Sequence, residues 1–121
     1  MKKVLCLIII SFLFINCDEA QEIKTITTLE LKALLEKDKI QLLDVRSPEE
    51  IKEGFIPTAK FVNYFDADFA EKAISKLGKN RPVYLYCRSG SRSGKSAKIL
   101  QEKGFEVYNV LGGFNQWKQE N

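Results

Sequence analysis

The chain has 121 residues, 45% of them hydrophobic and 29% charged, the proportions of a folded domain rather than of a disordered segment. Its formal net charge is +3, and no basic tract is dense enough to act as a nucleic-acid surface. Histidine is absent and the three cysteines are unpaired in spacing, so the sequence offers no metal-ligand set.

The first element is apolar. After Met1-Lys2-Lys3, residues Val4 to Ile15 form an almost unbroken hydrophobic run. As a helix it would span about 18 Å, short of the roughly 20 residues a membrane crossing needs. A basic start with a short apolar core reads as an export signal. A buried strand or an uncleaved anchor is the plainer reading. The run closes at Cys17, followed at once by Asp18-Glu19. This resembles a bacterial lipoprotein signal, with Phe14 and Asn16 standing where that pattern has Leu and a small residue. A simple cleaved secretory signal, with Cys17 incidental, is the alternative.

The expected organisation is therefore a signal over residues 1–16, a lipidated polar tether over 17–25 and one domain over 26–121. The chain would be held to the membrane on the periplasmic side of a cell envelope by lipid on Cys17. Two or more acyl chains make such an attachment stable. Cys6 would leave with the signal and Cys17 would be acylated, so Cys87 would remain as the free thiol with no disulfide partner. A lone thiol in an exported protein points to chemistry.

Beyond the tether, Thr27 to Lys39 reads as a helix, with Thr27 and Glu30 at capping-box spacing and Leu31, Leu34 and Leu35 on one face. Ile40 to Val45 is a short apolar run suited to a buried strand. Ser47 to Gly54 carries an N-cap serine, a proline at the first helical position and a terminating glycine. Ala59 to Tyr64 predicts a strand. Asp66 to Gly78 predicts an amphipathic helix with Phe69, Ala73 and Leu77 inward. Pro82 to Cys87 reads as a strand buried on both faces, Ser93 to Gly104 as a helix, Phe105 to Leu111 as a strand, and Gly112 to Glu120 as a closing turn and short helix. Strands alternating with helices imply an α/β domain: an open parallel sheet with helices on both faces. Ligands of such sheets sit at the carboxyl ends of the strands, where Asp44, Arg46 and the loop after Tyr86 fall.

That loop reads Cys87-Arg88-Ser89-Gly90-Ser91-Arg92-Ser93. Backbone N–H groups in such a loop and in the first turn of the following helix lack internal partners and can converge on an anion. Gly90 permits the bend, and Arg88 and Arg92 add positive charge. All of these favour a thiolate at Cys87 over the ordinary thiol of pKa about 8.5. A buried, inert cysteine is the bland alternative.

Two other anion loops fit less well. A P-loop needs four residues between its glycines, and Gly90 and Gly94 enclose only three. A cysteine phosphatase loop holds five residues between cysteine and arginine, whereas Cys87 and Arg92 enclose four. The shorter loop suits one sulfur atom on the cysteine better than a tetrahedral phosphoryl group.

Residues 42–64, 83–93 and 111–117 together resemble the single-domain rhodanese family of sulfurtransferases. The resemblance rests on Asp44-Val45-Arg46, Gly54 to Ala59, the cysteine loop and Gly112-Gly113 before Trp117. Phe55 and Thr58 stand where the family has His and Gly. It implies that Cys87 is the nucleophile, taking the outer sulfur of a donor such as thiosulfate and carrying it as a persulfide. Residues Arg88 to Arg92 would surround that sulfur with amides, Ser93 closing the substrate-binding loop. Arg88 would attract an anionic donor, and Arg92 would brace the loop. Asp44, Arg46 and Glu50 would support the loop by ion pairing, and Gly112, Gly113 and Trp117 would be architectural.

Such chemistry calls for no metal and no cofactor. Its partners are a small anionic sulfur donor and a thiophilic acceptor, with a redox or sulfur-acceptor protein as a further candidate. The alternatives are a carrier module that holds the persulfide with little turnover, and a cysteine phosphatase or arsenate reductase relative.

Overall fold

The computed structural model describes residues 22–121. The expectations for the signal run, Cys6 and Cys17 lie outside these residues. Five strands and five helices alternate: β1 (Lys24–Ile26), α1 (Thr28–Lys37), β2 (Gln41–Asp44), α2 (Pro48–Ile51), β3 (Lys60–Phe61), α3 (Phe69–Lys76), β4 (Val83–Tyr86), α4 (Ser91–Glu102), β5 (Val107–Val110) and α5 (Gly113–Glu120). All pairings are parallel, in the order β1-β5-β4-β2-β3, so the sheet is the open parallel one expected.

Side-chain alternation splits the core into two layers. On one face Leu43, Val83, Leu85 and Val107 pack with Phe69, Ala73, Ala97 and Leu100 of α3 and α4. On the other, Leu42, Tyr86 and Val110 pack with Leu31 of α1 and Phe114 and Trp117 of α5. A fully buried leucine contributes about 2 kcal/mol. The two central strands, β4 and β2, therefore tie both layers together and fix where their carboxyl ends lie.

The local signals act as their chemistry dictates. Thr27 accepts from the Glu30 amide while Glu30 accepts from the Thr27 amide, closing the capping box of α1. Ser47 and Glu50 do the same for α2, with Pro48 in the first turn. That helix is a single turn, and Gly54 follows it at φ +134.

Four expectations shift. Lys24, placed by sequence in the polar tether, belongs to β1, which runs beside β5. A three-residue edge strand, Lys-Thr-Ile, is too short to show a periodicity of its own, and its neighbour's unpaired edge gives it a structure. The strand expected from Ala59 to Tyr64 is regular only at Lys60–Phe61, although the Val62 and Tyr64 amides still donate to Asp44 and Val45. The helix expected from Asp66 begins at Phe69, after a turn in which the Phe69 amide donates to the Asp66 carbonyl. Helix α4 begins at Ser91, two residues before the expected Ser93.

Candidate active site

Cys87 leaves the end of β4, and Gly90 stands at φ +117, ψ −11 as the N-cap of α4. A left-handed glycine completes the turn in one residue, so the helix can start at once and Arg92 and Ser93 fall in its first turn. The Gly90 amide points back at the cysteine, 3.1 Å from Sγ, and the Ser93 hydroxyl lies 3.4 Å from the same atom. Cys87 is 1% exposed. Burial pushes its thiol pKa up, but hydrogen bonds from the Ser93 hydroxyl and from the amides of Ser93, Gly90 and Ser89 outweigh it and leave the thiol more acidic than ordinary cysteine. The chief influence lowering it is this close ring of donors, the loop amides expected from the sequence among them, rather than the two arginine charges expected to act beside them.

Those arginines are engaged elsewhere. Arg92 makes a two-pronged pair with Glu50, at 2.9 and 2.8 Å. Arg88 lies over half exposed, its guanidinium 3.8 Å from the same carboxylate. One negative and two positive groups leave the rim net cationic, suited to drawing in a small anion. The hydrogen bond from Arg92, helped by those from Ser47 and opposed by burial, holds the Glu50 carboxyl at a pKa of about 2. Glu50 thus caps α2 and clamps α2 to the first turn of α4, a position that is not simply a solvated surface.

Asp44 and Arg46 sit one step further back and do not pair with the loop, a correction to their expected role. They pair with each other in the interior, Nη2 to Oδ2 at 2.7 Å, both essentially inaccessible. Arg46 also donates to the carbonyls of Gly54 and Glu50 and lies over the Phe114 ring at 4.3 Å. The pair therefore holds the segment after α2. The nearby Tyr86 hydroxyl accepts the Ile56 amide and is kept protonated by burial and by Asp44.

Two supports were not assigned to the site from sequence. The Phe114 and Asn115 amides at the start of α5 donate to the carbonyls of Cys87 and Arg88, at 2.8 and 3.0 Å. Holding both carbonyls outward turns the following amides inward. Gly113 makes this approach possible, since a Cβ there would stand 2.5 Å from the Cys87 carbonyl oxygen. The second is Asn109 of β5, nearly buried, which donates to the Gly90 carbonyl at 3.1 Å and accepts from Ser93 at 2.6 Å. A polar residue inside Val107-Tyr108-Asn109-Val110 was the available signal. Ser89 and Ser91 are exposed at the loop, and Ser91 opens α4. Trp117 is buried under the β1–β5 side of the sheet with Leu31 and Val110.

A cleft of about 610 Å³ lies between α2, β3 and α3, lined by Arg46, Val62, Asn63 and Lys72 among others, and neither Cys87 nor its loop reaches it. The Cys87 sulfur sits instead in a small cradle at the carboxyl end of β4. Among the described residues no cluster of acidic or cysteine side chains has the arrangement of a metal site.

An open parallel sheet presenting a buried, donor-ringed thiol at a strand's carboxyl end defines a cysteine-loop α/β domain. The chain belongs to the rhodanese-like domain family, whose model matches residues 27–120. YtwF of Bacillus subtilis, provisionally named a sulfurtransferase, is 42% identical over 100 residues, 82% of this chain and 94% of that protein. GlpE of Coxiella burnetii, named thiosulfate sulfurtransferase, is 37% identical over 97 residues, covering 78% of this chain and 87% of that one. The crystal structure of a rhodanese-like domain protein from Staphylococcus aureus superposes with a TM-score of 0.71 at 38% identity, covering 78% of this chain and 91% of that one.

Proposed function

We propose that this protein is a sulfurtransferase that takes sulfane sulfur from thiosulfate or a persulfide donor and passes it through Cys87. The observation that carries the reading is the convergence of backbone N–H groups and the Ser93 hydroxyl on Cys87 Sγ, beneath a cationic rim. With thiosulfate, the Cys87 thiolate attacks the outer sulfur. The Cys–S bond forms as the sulfur–sulfur bond of the donor breaks, and sulfite leaves with the bonding pair. A nucleophilic acceptor then attacks the outer sulfur of the persulfide, and Cys87 recovers its thiolate. The amide ring stabilises negative charge on whichever sulfur carries it, without reorganising during the step. Arg88, exposed and only loosely paired with Glu50 at 3.8 Å, meets the incoming anion, while Arg92, clamped by Glu50, keeps the loop in shape.

The test is thiocyanate formation from thiosulfate and cyanide. Turnover should fall by about a thousandfold or more in Cys87→Ser, as for loss of any nucleophile. A protein that gains one sulfur in its mass without turnover would instead be a carrier, and phosphate release from an aryl phosphate, lost in Cys87→Ser, would mark a phosphatase.

We also propose, from the apolar run and Cys17, that the mature protein begins at a lipidated Cys17 on the periplasmic side of the envelope. Mass spectrometry of the mature N-terminus decides it: an intact Met1 would end the proposal.

A further inference from the structure

Ser93 has one hydroxyl proton and two acceptors for it. Asn109 Oδ1 lies 2.6 Å from its oxygen and Cys87 Sγ lies 3.4 Å away. Which end of the Asn109 carboxamide faces the serine is not free. Its Nδ2 donates to the Gly90 carbonyl at 3.1 Å, so its oxygen must face Ser93. Space for this contact comes from Gly94, where a Cβ would stand 3.3 Å from Nδ2. Ser93 is fully inaccessible and Asn109 is 9% exposed, so neither group can exchange these partners for bulk water. With Cys87 protonated, the thiol can donate to Ser93 Oγ while the serine donates to asparagine. Once Sγ is ionised it offers no proton, and the serine hydroxyl can donate to it only by turning away from Asn109.

We propose that Asn109 is a positioning residue for Cys87: by binding the Gly90 carbonyl it fixes the residue whose own N–H, on the other side of the same Cα, faces the sulfur, and it competes with the sulfur for the Ser93 hydroxyl proton. The two effects oppose each other. Tethering Gly90 favours the thiolate, whereas retaining the serine proton favours the thiol. Asn109 thus sets how far the cradle acidifies the cysteine and gives Ser93 a resting partner when no charge sits on sulfur. The charged groups around the cradle are Arg88 and Arg92, Glu50 of α2 and the Asp44–Arg46 pair behind it. Tyr64 packs on the same face, while Tyr86 packs on the opposite one. None of these side chains hydrogen-bonds to Ser93 or Asn109. The inference rests on Cys87 being the reactive thiol of the proposed function, but not on any particular sulfur donor.

The experiment is the rate of iodoacetamide alkylation against pH, followed at Cys87 by peptide mass spectrometry in the full chain. It reads the thiolate directly, so a protein without thiosulfate turnover still tests the inference. Ser93→Ala should move the half-titration point upward by roughly one pH unit, the value of one lost donor to a charged group. Asn109→Ala made in the Ser93→Ala background loses only the tether and should slow alkylation at neutral pH. In the wild-type background the freed hydroxyl offsets that loss, so the two effects should differ by about threefold or more, the mark of coupled residues. Asn109→Ser, smaller but still polar, serves if the alanine variant does not fold. Equal effects in both backgrounds, or an unmoved profile in Ser93→Ala, would overturn the proposal.

Discussion

Thr58 stands at φ +73, a left-handed conformation that a β-branched residue rarely adopts. It occupies the position where the family pattern has glycine, so the backbone kept the glycine's geometry while the side chain changed. Thr58→Gly should relieve the steric cost and raise stability by about 0.5–1 kcal/mol after glycine's greater unfolded freedom is counted, visible as a higher melting temperature. A lower melting temperature would mean that the threonine side chain contributes more than it strains. Glu50 presents the opposite case, a residue with two functions. Its pKa, lowered to about 2 chiefly by Arg92, lies below the ordinary value of 4.5, so its stabilisation is complete above about pH 4.5 and is lost as pH falls toward 2. Wild type should therefore exceed Glu50→Gln by on the order of 2 kcal/mol at neutral pH, with the gap closing in that acid window. Urea unfolding at pH 7 and pH 2.5 measures it, and a gap independent of pH would refute the assignment.

Beyond its own Gly90 amide, the loop at Cys87 is held by the Glu50–Arg92 pair from α2 and by α4, β5 and α5. Helix α4 supplies amides at its first turn, β5 supplies Asn109, and α5 supplies two amides to the outward carbonyls. The last contact explains why a glycine opens α5. At Gly113, with φ +55, a methyl group would meet the Cys87 and Arg88 carbonyls at 2.5 and 2.7 Å. Backbone cannot yield to a methyl group as a flexible side chain does. Gly113→Ala should push α5 away from the loop, costing about 2–3 kcal/mol in stability and slowing Cys87 alkylation at pH 7 toward the rate of a free thiol. Thermal unfolding and alkylation together check this, and a stable variant with unchanged alkylation would show that α5 does not position the loop.

Across the whole molecule, the sheet order brings strands distant in sequence side by side, and the edge is completed by β1. Its Ile23 and Ile26 flanks reach opposite core layers, and the Ile26 carbonyl accepts the Leu111 amide. Without β1, the open edge of β5 would lie next to the turn that leads into Gly112. A chain beginning at Thr27 should be less stable than one beginning at Glu22 by about 3 kcal/mol, for two partly buried isoleucines and the strand's hydrogen bonds. It should also associate through the exposed edge. Urea unfolding and sedimentation of the two chains would decide, with equal behaviour placing β1 outside the folded unit.

The alternation of strands and helices, the Thr27–Glu30 capping box, the Ser47 N-cap, the buried central strands and the cysteine loop were all legible in the sequence. Each depends on residues within about a turn or a strand of one another, where propensity, capping and side-chain period act. The edge strand β1, the early start of α4, the retreat of Asp44 and Arg46 from the loop, and the parts played by Asn109 and Gly113 were not legible. The start of α4 is set locally by Gly90, and the others arise where segments far apart in the chain meet: β5 supplies the missing partner for Lys24–Ile26, and the carbonyls of Cys87 and Arg88 find their donors in α5. The sequence singled out the Cys87 sulfur as the atom proposed to react. Only packing decided which groups surround it, because a hydrogen bond between residues 16 or 27 positions apart, such as Ser93 to Asn109 or Phe114 to Cys87, exists only once the sheet has brought them together.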